Sequence, residues 1–322
     1  MIGRVDAAVW LGQRRRGSIT RYFPRHPQAC YVPLPEIYCA SLRQVRMPSS
    51  LKPRGGRVSS SPILDNKDPQ APSMFEPAAL LRQARRQKGL PVADMPGLCI
   101  LDPDGDILRR LKASGAAKRL EAWPCYHTEL YGFELAGAVA GIIGCAVGAP
   151  FAVLVAEELF ACGCRILISL TSAGQIVPAG PPPYFVVIDR ALRDEGTSYH
   201  YAAPEAFAAA DPRLVAAASC ALAQAGLTAQ VGASWTTDAP FRETEAAVAA
   251  ARAHGALAVE MEAAALYSFA RRRNKAVLCL AHVTNTMGLA DEDFEKGEAD
   301  GTADALQILA TLARALPAAM SD

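Results

Sequence analysis

From residue 74 onward, apolar positions recur in two alternating periods. Segment 75–87 puts Leu80, Leu81 and Ala84 on one side and arginines on the other, which predicts an amphipathic helix. Residues 98–101 are a short apolar run ended by the turn signal Asp102-Pro103-Asp104-Gly105, and helical spacing resumes over 105–112. Strands are predicted over 120–123, 127–135 and 139–147. A strong helix over 151–162 opens after Gly148-Ala149-Pro150, with Pro150 in the first turn, where its missing N–H does no harm. Further strands fit 165–170, 185–189, 230–234, 257–259 and 276–283, and helices fit 212–225, 243–254, 262–273 and 302–315. Strands alternating with helices over roughly 250 residues predict one α/β domain.

The stretch before it is different. Residues 1–73 carry 12 Lys/Arg but only Asp6, Glu36, Asp65 and Asp68 as acids. They are rich in Pro and Ser and keep neither period, so they read as a disordered basic leader. Three accounts stay open for it: a targeting segment, a tail for an anionic partner, or untranslated sequence ahead of a start at Met74. Over the whole chain, 33 Lys+Arg stand against 32 Asp+Glu, which argues against a nucleic-acid partner because phosphate neutralisation needs a basic surplus. The longest apolar candidate, 137–155, is broken by glycines and Pro150, so no membrane span is expected. Nine scattered cysteines without a CxxC motif read as free thiols of a cytoplasmic protein, with no metal site.

The most informative segment is Val259-Glu260-Met261-Glu262-Ala263-Ala264-Ala265-Leu266. Two carboxylates flank a methionine where a strand gives way to a helix. A carboxylate there can accept hydrogen bonds from vicinal hydroxyls, and a thioether can pack on a sugar face. By spacing alone, Glu262 could equally be an acid that satisfies the helix N-terminus.

This segment resembles the ribose-binding signature of the purine nucleoside and uridine phosphorylase family, which also contains methylthioadenosine/S-adenosylhomocysteine nucleosidases. The run 144–150 with Ala156-Glu157-Glu158-Leu159 is similar to that family's glycine-rich strand end and following helix. Residues 168–174 resemble its next strand and base-contacting turn, and Gly196-Thr197-Ser198-Tyr199-His200-Tyr201 and 235–243 follow in the expected order. The resemblance spans 95–316. It implies a three-layer α/β/α sandwich with a central mixed sheet, a homo-oligomer with shared active sites, a small nucleoside as substrate, no cofactor, and inorganic phosphate as a candidate co-substrate. It further implies that Glu262 binds the ribose 2′- and 3′-hydroxyls beside Glu260, that Met261 lines the sugar, and that Ser172, Ala173 and Gly174 sit by base and sugar.

The chain also departs from the family. The Gly-Asp-Pro-x-Arg turn that grips phosphate is replaced by 102–107, with three acids and no arginine, and the other phosphate arginines fall at Tyr126-His127 and Ser169. These losses favour the branch that uses water. On the base side, Asn285 stands where purine-specific members carry an aspartate, as in uridine phosphorylase-like members, although the arginine expected next is Thr286. Arg242, after Asp238, is a candidate donor to a base carbonyl. His200 is either a structural loop histidine or a ligand contact, and Asp238 either a turn former or a catalytic acid. Three functions follow: the resemblance implies first a uridine phosphorylase-like nucleoside phosphorylase, next a nucleosidase because of the lost phosphate residues, and third an inactive nucleoside sensor.

Overall fold

The first helix, α1 (Pro77–Lys88), starts on a proline and stops at Gly89, whose φ of 64° is the left-handed conformation that glycine adopts without strain. It belongs to a computed structural model that describes residues 61–286, 296–297 and 301–320. Of the leader expected over residues 1–73, residues 1–60 lie outside the described residues and 61–73 are described. Beyond α1 come β1 (Leu98–Asp102), α2 (Asp106–Ala113), β2 (Lys118–Arg119), β3 (Tyr131–Leu135), β4 (Ala138–Gly144), α3 (Ala149–Ala161), β5 (Ile166–Gln175), β6 (Tyr184–Asp194) and β7 (Phe207–Ala209). The remainder is α4 (Pro212–Gln224), β8 (Ala229–Thr237), α5 (Glu245–Ala253), β9 (Ala256–Glu260), α6 (Ala263–Arg273), β10 (Ala276–Thr286) and α7 (Thr302–Ala319).

The strands form one mixed sheet. From one edge the order is β2, β3, β4, β1, β5, and β5 then pairs with both β9 and β10. Because β10 continues through β6 and β8 to β9, these five strands close on themselves around β5. The first part of β5 runs parallel to β1 and its whole length parallel to β10, while its end is also antiparallel to β9, with Gly174 opposite Val259.

Two cores flank the sheet, as the three-layer expectation requires. On one face Leu81 of α1, Val153 and Leu159 of α3 and Leu266 and Phe269 of α6 pack together. On the other, Ile107 and Leu111 of α2, Leu214 and Leu222 of α4 and Ile308 and Leu312 of α7 do the same. Burying each such side chain is worth about 1.5–3 kcal/mol, so both faces contribute. Ala263, Ala264 and Ala265 are at most 1% exposed and let α6 lie close against the sheet.

Two sequence expectations change. No strand forms over 120–123. Trp123 turns back instead, its N–H donating to the Leu120 carbonyl (3.1 Å) and its indole to Thr128 Oγ1 (3.1 Å). The apolar residues there plug a core rather than pair in a sheet. Conversely, β5 does not end at 170: Ser172, Ala173 and Gly174 are strand residues paired with β10, not a turn after the strand. Among the described residues no helix is long and apolar enough to cross a membrane.

Candidate active site

The end of β9 delivers Glu260, Met261 and Glu262 to the start of α6, and the two carboxylates do different work. Glu260 is held on every side by protein donors. One oxygen accepts from Ser234 Oγ (2.9 Å) and Thr236 Oγ1 (2.5 Å), the other from the backbone N–H groups of Glu262 and Ala263, both at 2.7 Å. It therefore satisfies the helix start and fixes the junction, instead of facing a ligand as expected.

That leaves Glu262 free of capping duty; its side chain makes no bond to its own helix. One oxygen accepts from the N–H of Gly148 (2.7 Å), in the glycine turn before α3, while Oε2 is buried without a partner. Gly148 has φ +89°, a conformation open to glycine, which aims its N–H at the carboxylate. Burial and then the neighbouring Glu260 charge push the Glu262 carboxyl up to about 8, and Asp104 adds to the effect. Such a group, buried with an unused acceptor, is suited to take hydrogen bonds from a ligand that brings its own donors.

The third carboxylate comes from the turn after β1. Asp104 Oδ2 accepts from the Ser172 N–H (2.7 Å) and Oδ1 from Ser172 Oγ (2.9 Å). Its turn is held by Asp102, which is 2% exposed, accepts from the N–H groups of Gly105 (3.2 Å) and Leu108 (2.9 Å), and is raised to about 7, chiefly by burial. Asp106 opens α2 and pairs with Lys296 (2.6 Å) and Arg109 (2.5 Å). Burial works to raise Asp106, but these two cations win and hold it below the usual range. At Gly105, φ is +76° and a Cβ would stand 2.6 Å from Cys145 Sγ, so an arginine there would strain the backbone and have to displace that thiol. Ser169, at another of the expected arginine positions, is 1% exposed and its hydroxyl lacks a partner.

Register brings the remaining strand residues to the same edge. Ala173 lies opposite Val283 and Gly174 opposite Asn285, across a bulge in β10. Thus Ser172, Ala173, Gly174 and Asn285 share the edge from which Glu260, Met261 and Glu262 emerge. Beside them Thr286 Oγ1 donates to Gln175 Oε1 (3.3 Å), and Gln175 Nε2 to Tyr184 Oη (2.9 Å).

Three expected residues stand apart. Asp238 Oδ2 accepts from the Gly196 N–H (2.8 Å), tying the loop after β8 to the turn after β6. Arg242 is exposed in a short 3-10 turn. His200 is exposed on the Gly196–Tyr201 turn, its pKa lowered by partial burial and by Lys67 against the opposing Glu195 charge. None of them contacts Glu262. Sequence reasoning missed Gly148 as the partner of Glu262 and Asp104 as the partner of Ser172. The acids of 102–106 were visible, but not that one of them reaches residue 172. Among the described residues no cluster of His, Cys, Asp or Glu is arranged to hold a metal ion.

Comparison with known proteins bears on the fold and the family. A crystal structure of uridine phosphorylase from Vibrio fischeri ES114, complexed with 6-hydroxy-1-naphthoic acid, matches at a TM-score of 0.57 and 20% identity. The match covers 68% of this chain and 90% of that one, and at such identity it establishes the fold. The family model of the phosphorylase superfamily matches residues 98–315, from the first residue of β1 into α7. On that match, with Glu262, Gly148 and Ser172 gathered at one edge of the sheet, the chain belongs to the phosphorylase superfamily.

Proposed function

We propose that the protein cleaves the N-glycosidic bond of a nucleoside and that water accepts the pentosyl group. The observation that carries the choice of water is the seating of Asp104 on both donors of Ser172. A backbone N–H and a hydroxyl side by side make an anion site, and here a carboxylate of the protein already fills it. An incoming phosphate would have to displace that carboxylate and face Glu262 as well, and Arg109, whose guanidinium reaches the Asp104 carbonyl (3.5 Å), is already paired with Asp106.

In this reading Glu262 accepts hydrogen bonds from the ribose 2′- and 3′-hydroxyls, using the oxygen that lacks a protein partner. As the bond between C1′ and the base nitrogen breaks, its electron pair leaves with the base and positive charge grows on the sugar ring. Glu262 and Asp104 favour that charge more in the transition state than in the ground state. Asp104 takes the proton of the attacking water as the C1′–O bond forms. Asn285, opposite Gly174, lies at the edge where the base would be held.

A second reading, transfer to inorganic phosphate, is favoured by the likeness of the fold to uridine phosphorylase. Both readings share bond cleavage and differ only in the acceptor. Release of free base from uridine, inosine, adenosine and methylthioadenosine tests the shared part. Turnover of at least one is expected; ligand binding without release of base from any would contradict it and favour a sensor.

A further inference from the structure

Residues 61–76 precede the family-matched region, yet they are fastened to it at several points. The Arg272 guanidinium, at the end of α6, donates to the carbonyls of Pro69, Gln70 (2.9 Å) and Ala71 (3.4 Å). Its neighbour Arg273 pairs with Glu76 (3.7 Å) and with Glu157 of α3 (3.0 Å), and Glu157 accepts from Tyr201 Oη (3.2 Å). Farther back, Ile63 packs directly on Gly196, where a Cβ would stand 3.1 Å from Ile63 Cδ1. Lys67 is close enough to His200 to act on its charge. A cleft of about 280 Å³ runs between Asp68, Ala71 and Ser73 on one side and His200, Tyr201 and Arg272 on the other.

These contacts converge on one turn. Gly196, under Ile63, gives its N–H to Asp238, and the loop of Asp238 continues β8 from Thr236, which holds Glu260. We propose that residues 61–76 are a positioning arm, with Arg272 as its anchor, which holds the Gly196–Tyr201 turn and through it the Asp238 loop at the margin of the active site. The inference rests on the nucleoside-cleaving reading for its kinetic consequence, but not for its structural one. Ile63, Lys67 and the three carbonyls bound by Arg272 all come before Met74, so the arm is a part of the chain that the family domain alone does not supply.

The test uses the full chain with Arg272→Ala, Arg272→Lys, Ile63→Ala and Lys67→Ala. Ile63 and Lys67 are exposed, so their replacement leaves the core intact even where loss of Arg272 disturbs folding. The expected result is a rise in KM of about 5-fold or more in Arg272→Ala and Ile63→Ala, with kcat changed less than about 3-fold and partial rescue in Arg272→Lys. His200, followed by NMR, should titrate at higher pH in Lys67→Ala, which removes that charge, and in Ile63→Ala, where the arm no longer holds Lys67 beside it; Glu195, Asp68, Arg272 and Arg273, the other charged groups around it, are unchanged in both. A chain that cleaves no nucleoside but shows the His200 shift would sink the functional reading alone. Unchanged KM with an unchanged His200 titration would overturn the arm, as would a loss confined to kcat.

Discussion

Asp104 and Ser172 lie 68 residues apart in the chain and meet in two hydrogen bonds of 2.7 and 2.9 Å. The carboxylate thereby fills both donors of an anion site. Replacing it should open that site: Asp104→Ala is expected to bind inorganic phosphate by calorimetry where the parent protein does not. The same variant should lose about 10²-fold or more in kcat, the usual contribution of a positioned general base. Phosphate binding of equal strength in both proteins would contradict the assignment.

Glu262 is assigned to the sugar hydroxyls, so Glu262→Gln should lower kcat/KM for ribonucleosides by about 10²-fold or more, the scale of losing a hydrogen-bonding group tuned to the transition state. The parent should reject 2′,3′-dideoxynucleosides and the variant should discriminate far less. A variant that keeps the parent's discrimination would show that Glu262 does not read the hydroxyls.

The pH dependence follows from the same residue. A carboxyl raised to about 8 by burial and by Glu260 gives up its proton only toward that value, and it favours positive charge on the sugar only once ionised. Hence kcat/KM should rise with pH through that value. Stability should move the opposite way. A raised carboxyl contributes stability that is fully present below its unfolded pKa of about 4.5 and is lost as pH climbs through the folded value. Urea unfolding of the parent should weaken between about pH 5 and pH 8, and Glu262→Gln should reduce that slope, the remainder coming from Asp102 and Glu243, which burial also raises to about 7. A parallel slope in both proteins would remove Glu262 as its source.

Glu260 is a fixing group, with four protein donors and full burial. Glu260→Ala should destabilise the fold by about 3 kcal/mol or more, because it leaves buried donors unpaired. Thermal unfolding would register this as a drop of several degrees, whereas Glu262→Gln should show none at pH 8. Equal destabilisation by the two changes would contradict this division of labour.

The alternation of strands and helices carried most of the fold, since both faces of the sheet bury residues at helical spacing and α3, α6 and α7 begin within two residues of the predicted positions. The segment 120–123 misled because Trp123 and its neighbours are apolar for the sake of a plug, a role that shares its composition with a strand. Ser172, Ala173 and Gly174 were placed in a turn because their small side chains weaken the strand signal, and only pairing with β10 reveals them as strand. At the site, Glu262 was legible from its motif, and its separation from Glu260 was not. Nothing local distinguishes two glutamates two residues apart; the difference lies in Ser234, Thr236 and Gly148, far away in sequence. The Asp104–Ser172 pair was hidden for the same reason.

The most direct test of the account is the identity of the sugar product. With a nucleoside that the protein turns over, the reaction is run in phosphate-free buffer and again with millimolar inorganic phosphate, and the products are resolved by NMR. Free pentose formed at the same rate in both is the predicted result. Pentose 1-phosphate appearing only when phosphate is present would contradict the assignment of water as the acceptor.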